Sequence, residues 1–181
     1  MANGEATLGR LWLWTRQADE IDWDAAFAEA LPRVYNFFRY RVGDGALAED
    51  LTSLTFEKAW RGRDRYRRDR AAFGTWLFAV ARNVAVDHFR SRRPTVPLEE
   101  AEDLPGGPTP EDLAVKRSDH ERLGRLLARR PERERELLAL KYGAECTNRE
   151  IARTTGLSES NVGTILHRAV EALRADWELG A

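Results

Sequence analysis

The sequence predicts an all-α chain: two small helical domains joined by an acidic linker rich in proline and glycine. Three observations carry that expectation. Apolar side chains recur every three or four residues through most of the chain, with few alternating β-branched runs. The stretch from Pro94 to Pro110 breaks this periodicity with Pro94, Pro97, Pro105, Gly106, Gly107, Pro108 and Pro110. The last part, Thr147 to Leu173, reads as two helices around Gly156. The expected parts are an N-terminal extension (1–20), a domain of three to four helices (21–94), the linker (95–110) and a four-helix domain (111–178).

The totals narrow the function classes. A chain of 181 residues holds one large or two small domains. No apolar run approaches the roughly 20 residues that span a bilayer. The opening MANGEATLGR lacks a signal-peptide pattern, so a cytoplasmic location is expected. Cys146 is the single cysteine, which excludes an internal disulfide and a multi-cysteine zinc site. His88, His120 and His167 lack ligand spacing, and no phosphate loop or nucleophile–base pair is visible. No metal, cofactor or catalytic residue is therefore expected. The net charge of −1 hides an asymmetry. Arg61 to Arg93 holds ten arginines against three aspartates, whereas Thr95 to Asp112 holds six acids and no base.

The elements follow in order. Leu11, Trp12, Leu13 and Trp14 in the extension read as a short helix packed on the first domain, or as a docking site for a regulator. Asp22 or Asp24 caps a helix running to about Val42, with Trp23, Phe27, Leu31, Val34, Tyr35 and Phe38 on its apolar face. Pro32 should bend or loosen it. Gly43 and Gly45 end it, and Asp44 caps the next helix, about Ala46 to Arg61. There Leu47, Leu51 and Leu54 form one stripe and Phe56 and Trp60 a second, so this helix has two neighbours. The arginine-rich residues between Gly62 and Arg70 should form a solvated loop around Tyr66. A third helix, Phe73 to Arg93, buries Phe73, Trp76, Leu77, Val80, Ala81 and Val84 and carries its cations toward its C-terminal end.

Beyond the linker, Thr109 caps a helix that runs through Leu113, Leu123, Leu126 and Leu127 to about Ala128, and Pro131 opens another with Leu137, Leu138 and Leu140 inward. Thr147 and Glu150 form a capping box, Gly156 makes the turn and Ser158 caps the last helix. Val162, Leu166, Ala169 and Leu173 form its buried stripe. Asn161, Thr164, His167 and Arg168 fall outside that stripe and suit base edges in a major groove, as in a DNA-binding helix-turn-helix.

Four stretches in this order resemble one family. AEDLTSLTFEKAW (Ala48–Trp60), FGTWLFAVARNVAVDHFRSRR (Phe73–Arg93), RPERERELLALKY (Arg130–Tyr142) and TNREIARTTGLSESNVGTILHRA (Thr147–Ala169) are similar to segments of the extracytoplasmic-function sigma factors of the bacterial sigma-70 family. The resemblance implies a non-catalytic subunit that binds core RNA polymerase at its β′ clamp and β subunit. It implies recognition of promoter DNA at −10 and −35 elements, promoter melting, and control by an anti-sigma protein, without membrane insertion. Core contacts would fall on Asp50, Leu51, Ser53, Leu54, Phe56, Glu57 and Trp60. The −10 contacts would fall on Arg65, Tyr66, Phe73, Trp76, Arg82, Asn83, Asp87, Arg90, Arg92 and Arg93. The −35 contacts would fall on Thr147, Arg149, Ser160, Asn161, Thr164, His167 and Arg168. The family usually has a Gln-Glu pair where this chain has Ser53 and Leu54, and basic residues where it has Gly163 and Ile165. Two other classes fit parts of the chain: a free-standing operator-binding regulator, and a sigma-like protein that sequesters a partner.

Overall fold

The computed structural model describes residues 21–91, 119 and 122–179, and among them every regular element is helical. The tryptophans of the extension, the acidic linker, Arg92, Arg93 and the start of the fourth expected helix lie outside the described residues.

Helix α1 (Trp23–Val42) starts where the Asp22 carboxylate accepts from the Ala25 amide at 3.0 Å. It ends at Gly43, whose φ of 77° only glycine adopts without strain. Pro32 sits inside α1 without interrupting it. Proline and its neighbour Leu31 are exposed, so water can satisfy the carbonyl left without a donor. Leu31 is thus a correction to the expected apolar face, which is Ala30, Val34, Phe37 and Phe38.

Helix α2 (Gly45–Gly62) is capped by Asp44, which accepts from the Leu47 amide at 2.7 Å; Gly45 begins this helix rather than ending the one before. Its buried face is Ala48, Leu51, Thr52, Thr55 and Ala59; of the expected leucine stripe Leu51 is buried, Leu47 is half-buried and Leu54 is exposed. Two threonines sit in the core because their hydroxyls donate back to Ala48 and Leu51 carbonyls at 2.6 and 2.8 Å. Helix α3 (Phe73–Ser91) buries Leu77, Phe78, Ala81, Val84 and Ala85. Phe78 and Ala85 were not on the expected face, and Val80 is half-buried.

A helical stretch over 122–128 lies along the last helix, tied by Arg122 to the Trp177 carbonyl and by Arg130 to Asp176. Helix α4 (Glu132–Leu138) passes into a π-helical turn, Ala139–Gly143, and Glu136 through Leu140 are all buried. Helices α5 (Asn148–Thr155) and α6 (Glu159–Glu178) form the helix-turn-helix. Both halves of the Thr147–Glu150 capping box are present, Gly156 takes a φ of 75°, and Ser158 caps α6 by accepting from Asn161. Val162, Leu166 and Ala169 are buried as the periodicity predicts.

The two groups of helices share one continuous apolar cluster, because α1 packs on the π-turn and α3 packs on α5. Gly143 makes this possible. A Cβ there would stand 2.7 Å from the Asn36 carbonyl oxygen and 3.0 Å from the Phe37 nitrogen, both backbone atoms of α1. Polar groups rim the seam. Arg33 donates to the Ala144 carbonyl at 2.8 Å, buried Arg41 pairs with Glu132 at 3.1 Å, and Arg82 pairs with Glu136 at 2.6 Å. The Arg41 and Arg135 guanidinium groups both lie over the Phe89 ring, 4.9 and 5.7 Å from its centroid.

Candidate polymerase and nucleic-acid interfaces

Helix α2 presents its outer face to solvent. Asp50, Ser53, Leu54, Glu57 and Trp60 are exposed along it at spacings of three and four residues. Leu51, expected with them, is buried in the core, and Phe56 is half-buried with its ring 5.0 Å from that of Phe27. Glu57 pairs with Arg61 at 2.6 Å, one turn on. Trp60 is 46% exposed, and the Arg63 guanidinium stacks over its ring at 4.1 Å. The face therefore offers an indole with a cation over it, flanked by carboxylates, which suits a protein partner with mixed polarity.

The arginine-rich segment differs from the expected solvated loop. Arg63–Arg65 is a 3-10 turn, and Tyr66 folds inward against Phe73 and Trp76, with ring centroids at 6.1 and 5.1 Å. Burial pushes the Tyr66 hydroxyl above its ordinary pKa, so it stays protonated, and it donates to the Ala71 carbonyl at 3.0 Å. Arg65, Arg67, Arg68 and Arg70 point outward. The hydrogen bond from Arg67 holds the exposed Asp69 carboxyl below the usual carboxylate range. Two open clefts, about 660 and 560 Å³, flank Tyr66. Arg63 and Arg67 line the first; Arg33, Phe73 and Phe78 line the second. That size suits a small planar ligand, and an aromatic wall among cations suits an unstacked nucleobase.

Along α3 the expected contacts divide. Asn83 and Arg90 are exposed, and Asp87 pairs with Lys58 of α2 at 3.3 Å. Arg82 instead turns to the seam, where buried Glu136 accepts from it on one oxygen and from Arg133 on the other at 2.9 Å. Arg92 and Arg93 lie outside the described residues. On α6, Ser160, Asn161, Thr164, His167 and Arg168 are all exposed, at spacings that put them on one side. Thr164 donates to the Ser160 carbonyl at 3.0 Å. Gly163 leaves room: a Cβ would meet Asn148 at an ordinary 3.6 Å. At the start of α5, Arg149 is exposed, 3.9 Å from Glu159, whereas the Thr147 amide and hydroxyl both donate to Glu150 at 2.8 Å. Those donors, with the charges of Arg33 and Arg153, hold the Glu150 carboxyl below its usual range.

Smaller features are accounted for. Burial pushes the Cys146 thiol up to about 11, which leaves it protonated and unreactive at neutral pH. Among the described residues no group of histidine, cysteine and acidic side chains could hold a metal ion, and no helix is long and apolar enough to cross a membrane. Sequence reasoning missed two residues that organise these surfaces. Glu136 stands in the charge-rich run PERERELL, and spacing puts Trp23 on the apolar face of α1. Beside their local contacts to Arg133 and Phe27, the partners that give them their place are remote: Arg82, 54 residues from Glu136, and Tyr66, Phe73 and Trp76 for Trp23.

Comparison with known proteins agrees along the chain. Residues 26–95 match the family model for sigma-70 region 2, and residues 120–173 match that for sigma-70 region 4. The extracytoplasmic-function (ECF) RNA polymerase sigma factor RpoE of Cereibacter sphaeroides is 30% identical over 180 residues, covering 88% of this chain and 97% of that one. The ECF RNA polymerase sigma factor BldN of Streptomyces coelicolor is 32% identical over 161 residues; the match covers 87% of this chain and spans 61% of that protein. Two solved structures share the fold. The Bartonella quintana sigma factor RpoE, in complex with the anti-sigma factor NepR, has a TM-score of 0.67 at 20% identity and covers 88% of this chain and 99% of that one. CnrH, in complex with the cytosolic domain of CnrY, has a TM-score of 0.62 at 22% identity and covers 87% of this chain and 86% of that one.

Proposed function

The chain belongs to the extracytoplasmic-function sigma factors of the sigma-70 family, and we propose on that premise how its own residues divide the work of initiation. The chain acts in the cytoplasm as a non-catalytic subunit of RNA polymerase. The outer face of α2, centred on Asp50, Leu54, Glu57 and Trp60, docks on the polymerase. Tyr66, Phe73 and Trp76, with Arg65, Asn83 and Arg90, hold the −10 strand as the duplex opens. Each base stacked on an aromatic ring gains roughly 1–3 kcal/mol, which offsets unstacking. The α6 face of Ser160, Asn161, Thr164, His167 and Arg168 reads the −35 duplex, and Arg149 contacts phosphate.

The observation that carries this reading is the α6 face: five side chains able to reach bases, all exposed, directly opposite the buried Val162–Leu166–Ala169 stripe. In polymerase holoenzyme, Arg168→Ala should weaken binding to a matched −35 duplex by roughly 1–3 kcal/mol relative to a scrambled one. Equal binding to matched and scrambled duplexes, before and after the change, would remove the base-reading role. A free-standing regulator would have no use for the exposed face of α2.

The seam fits a resting state. Elements named −10 and −35 lie about 25 base pairs apart, ~85 Å along B-form DNA. With α3 packed on α5, the two readers are far too close to engage both. Arg82 is also occupied by Glu136. Polymerase binding therefore separates the two groups of helices. An anti-sigma protein that gripped both would hold the chain inactive, as a control of the kind named for the Bartonella relative.

A further inference from the structure

We infer that Trp23, in the first turn of α1, positions the Tyr66 segment for capture of the −10 strand, acting through Tyr66 and Phe73 rather than by touching every base itself. The inference rests on the reading of that segment given above and assigns it a residue that lies before the region 2 match, which begins at residue 26.

The geometry is specific. The Trp23 ring meets four aromatic rings from three parts of the chain: Phe27 of α1 at 5.8 Å, and Tyr66, Phe73 and Trp76 each at 6.0 Å. All four contacts are edge-to-face, with interplanar angles from 68° to 81°, the arrangement aromatic quadrupoles favour. Beyond Arg63, which donates to the Trp60 carbonyl of α2 at 2.8 Å and stacks over its ring, the hydrogen bonds that shape the arginine-rich segment run within it: Tyr66 to the Arg63 carbonyl, Arg70 and Ala71 to the Arg67 carbonyl, and the Tyr66 hydroxyl to Ala71. Arg63 ties its start to α2, but the bonds after it fix only its local form. Arg65, Arg67, Arg68 and Arg70 point to solvent, so the anchoring of that part falls to Tyr66, whose ring meets Trp23 of α1 as well as Phe73 and Trp76 of α3.

The position of this wall bears on function because Tyr66 borders both clefts and Trp23 borders the larger one. A stacking surface displaced by an ångström presents its face to the wrong place, and a binding constellation needs to be held more tightly than that. Trp23 in turn is fixed by the Asp22 cap, which sets where α1 begins. The sequence therefore places an aromatic support at the start of α1, beside the basic segment.

The test uses holoenzyme assembled from core polymerase and the full chain. The probe is single-stranded DNA carrying the non-template −10 sequence of a promoter mapped by chain-dependent transcription. Trp23→Leu keeps apolar bulk and removes the ring; Trp23→Phe keeps a ring. W23L should weaken strand binding about tenfold, the loss of several edge-to-face pairs, while core affinity and −35 duplex binding stay within about twofold. W23F should restore strand binding to within about threefold of the native chain. Tyr66→Ala serves as the control. If Y66A loses the strand but W23L does not, Trp23 has no positioning role. If W23L loses core affinity, −35 binding or folding together with the strand, or if W23F is as weak as W23L, the role is structural and the inference falls. If Y66A binds the strand normally, the assignment of the segment itself fails, and this inference with it.

Discussion

Gly143→Val should open the molecule. The added side chain would begin 2.7 Å from the Asn36 carbonyl oxygen and 2.9 Å from its carbon, in the backbone of a helix that cannot move without disturbing Phe37 and Phe38. Overpacking of this kind costs about 1–3 kcal/mol. The cheaper response is for the π-turn to leave α1, taking the Arg33–Ala144, Arg41–Glu132 and Arg82–Glu136 contacts with it. Small-angle scattering should show a larger radius of gyration with helical content retained, and the thermal transition should fall or split. Core polymerase should then bind the variant at least as tightly as the native chain, because separation of the halves no longer draws on the binding energy. A variant as compact as the native protein would mean that the Gly143 approach does not hold the seam.

Asp50→Arg should remove polymerase binding, by well over tenfold, and leave the fold intact. Asp50 is exposed in the middle of α2, and surface substitutions of that kind usually change stability by no more than about 0.5 kcal/mol. A reversed charge inside a docking face, by contrast, sets like against like and costs several kcal/mol. The measurement is core affinity by fluorescence anisotropy beside thermal denaturation of the free chain. Native-like affinity would show that the polymerase docks elsewhere.

How much of this was legible in the sequence depends on whether the determinants are local. The caps at Asp44, Thr147 and Ser158, the turn glycines Gly43 and Gly156, and the Val162–Leu166–Ala169 part of the α6 stripe rest on spacings of three or four residues, and the structure has them as read; of the two cap candidates for α1 it uses Asp22, and Leu173, the last of the expected stripe, is half-buried. The exposure of Ser160, Asn161, Thr164, His167 and Arg168 on α6 follows from the same periodicity. The seam was not legible. Glu132 and Glu136 sit in a run of alternating charges that reads as a solvated face, and their partners Arg41 and Arg82 are 91 and 54 residues away. Spacing puts Leu31 on the apolar face of α1 and Leu54 on a stripe with Leu47 and Leu51, yet both are exposed, and the smaller Ala30, Ala48 and Ala59 are buried. The arginine count likewise hid Tyr66, because a charge-rich segment can still bury its one ring while its cations turn outward. The shift from α-helix to π-turn at Ala139 has no marker in ERELLALKYG; five consecutive side chains across it, Glu136 to Leu140, are buried.

The most direct measurement is run-off transcription with bacterial core polymerase, with and without this chain, on fragments of its own genome, beginning with the one upstream of its own gene. Discrete transcripts that appear only with the chain, and vanish in the Asp50→Arg variant, are the predicted result. Core polymerase that gives the same transcripts with and without the chain, or a chain that does not bind core at all, would contradict the assignment of these surfaces to transcription initiation.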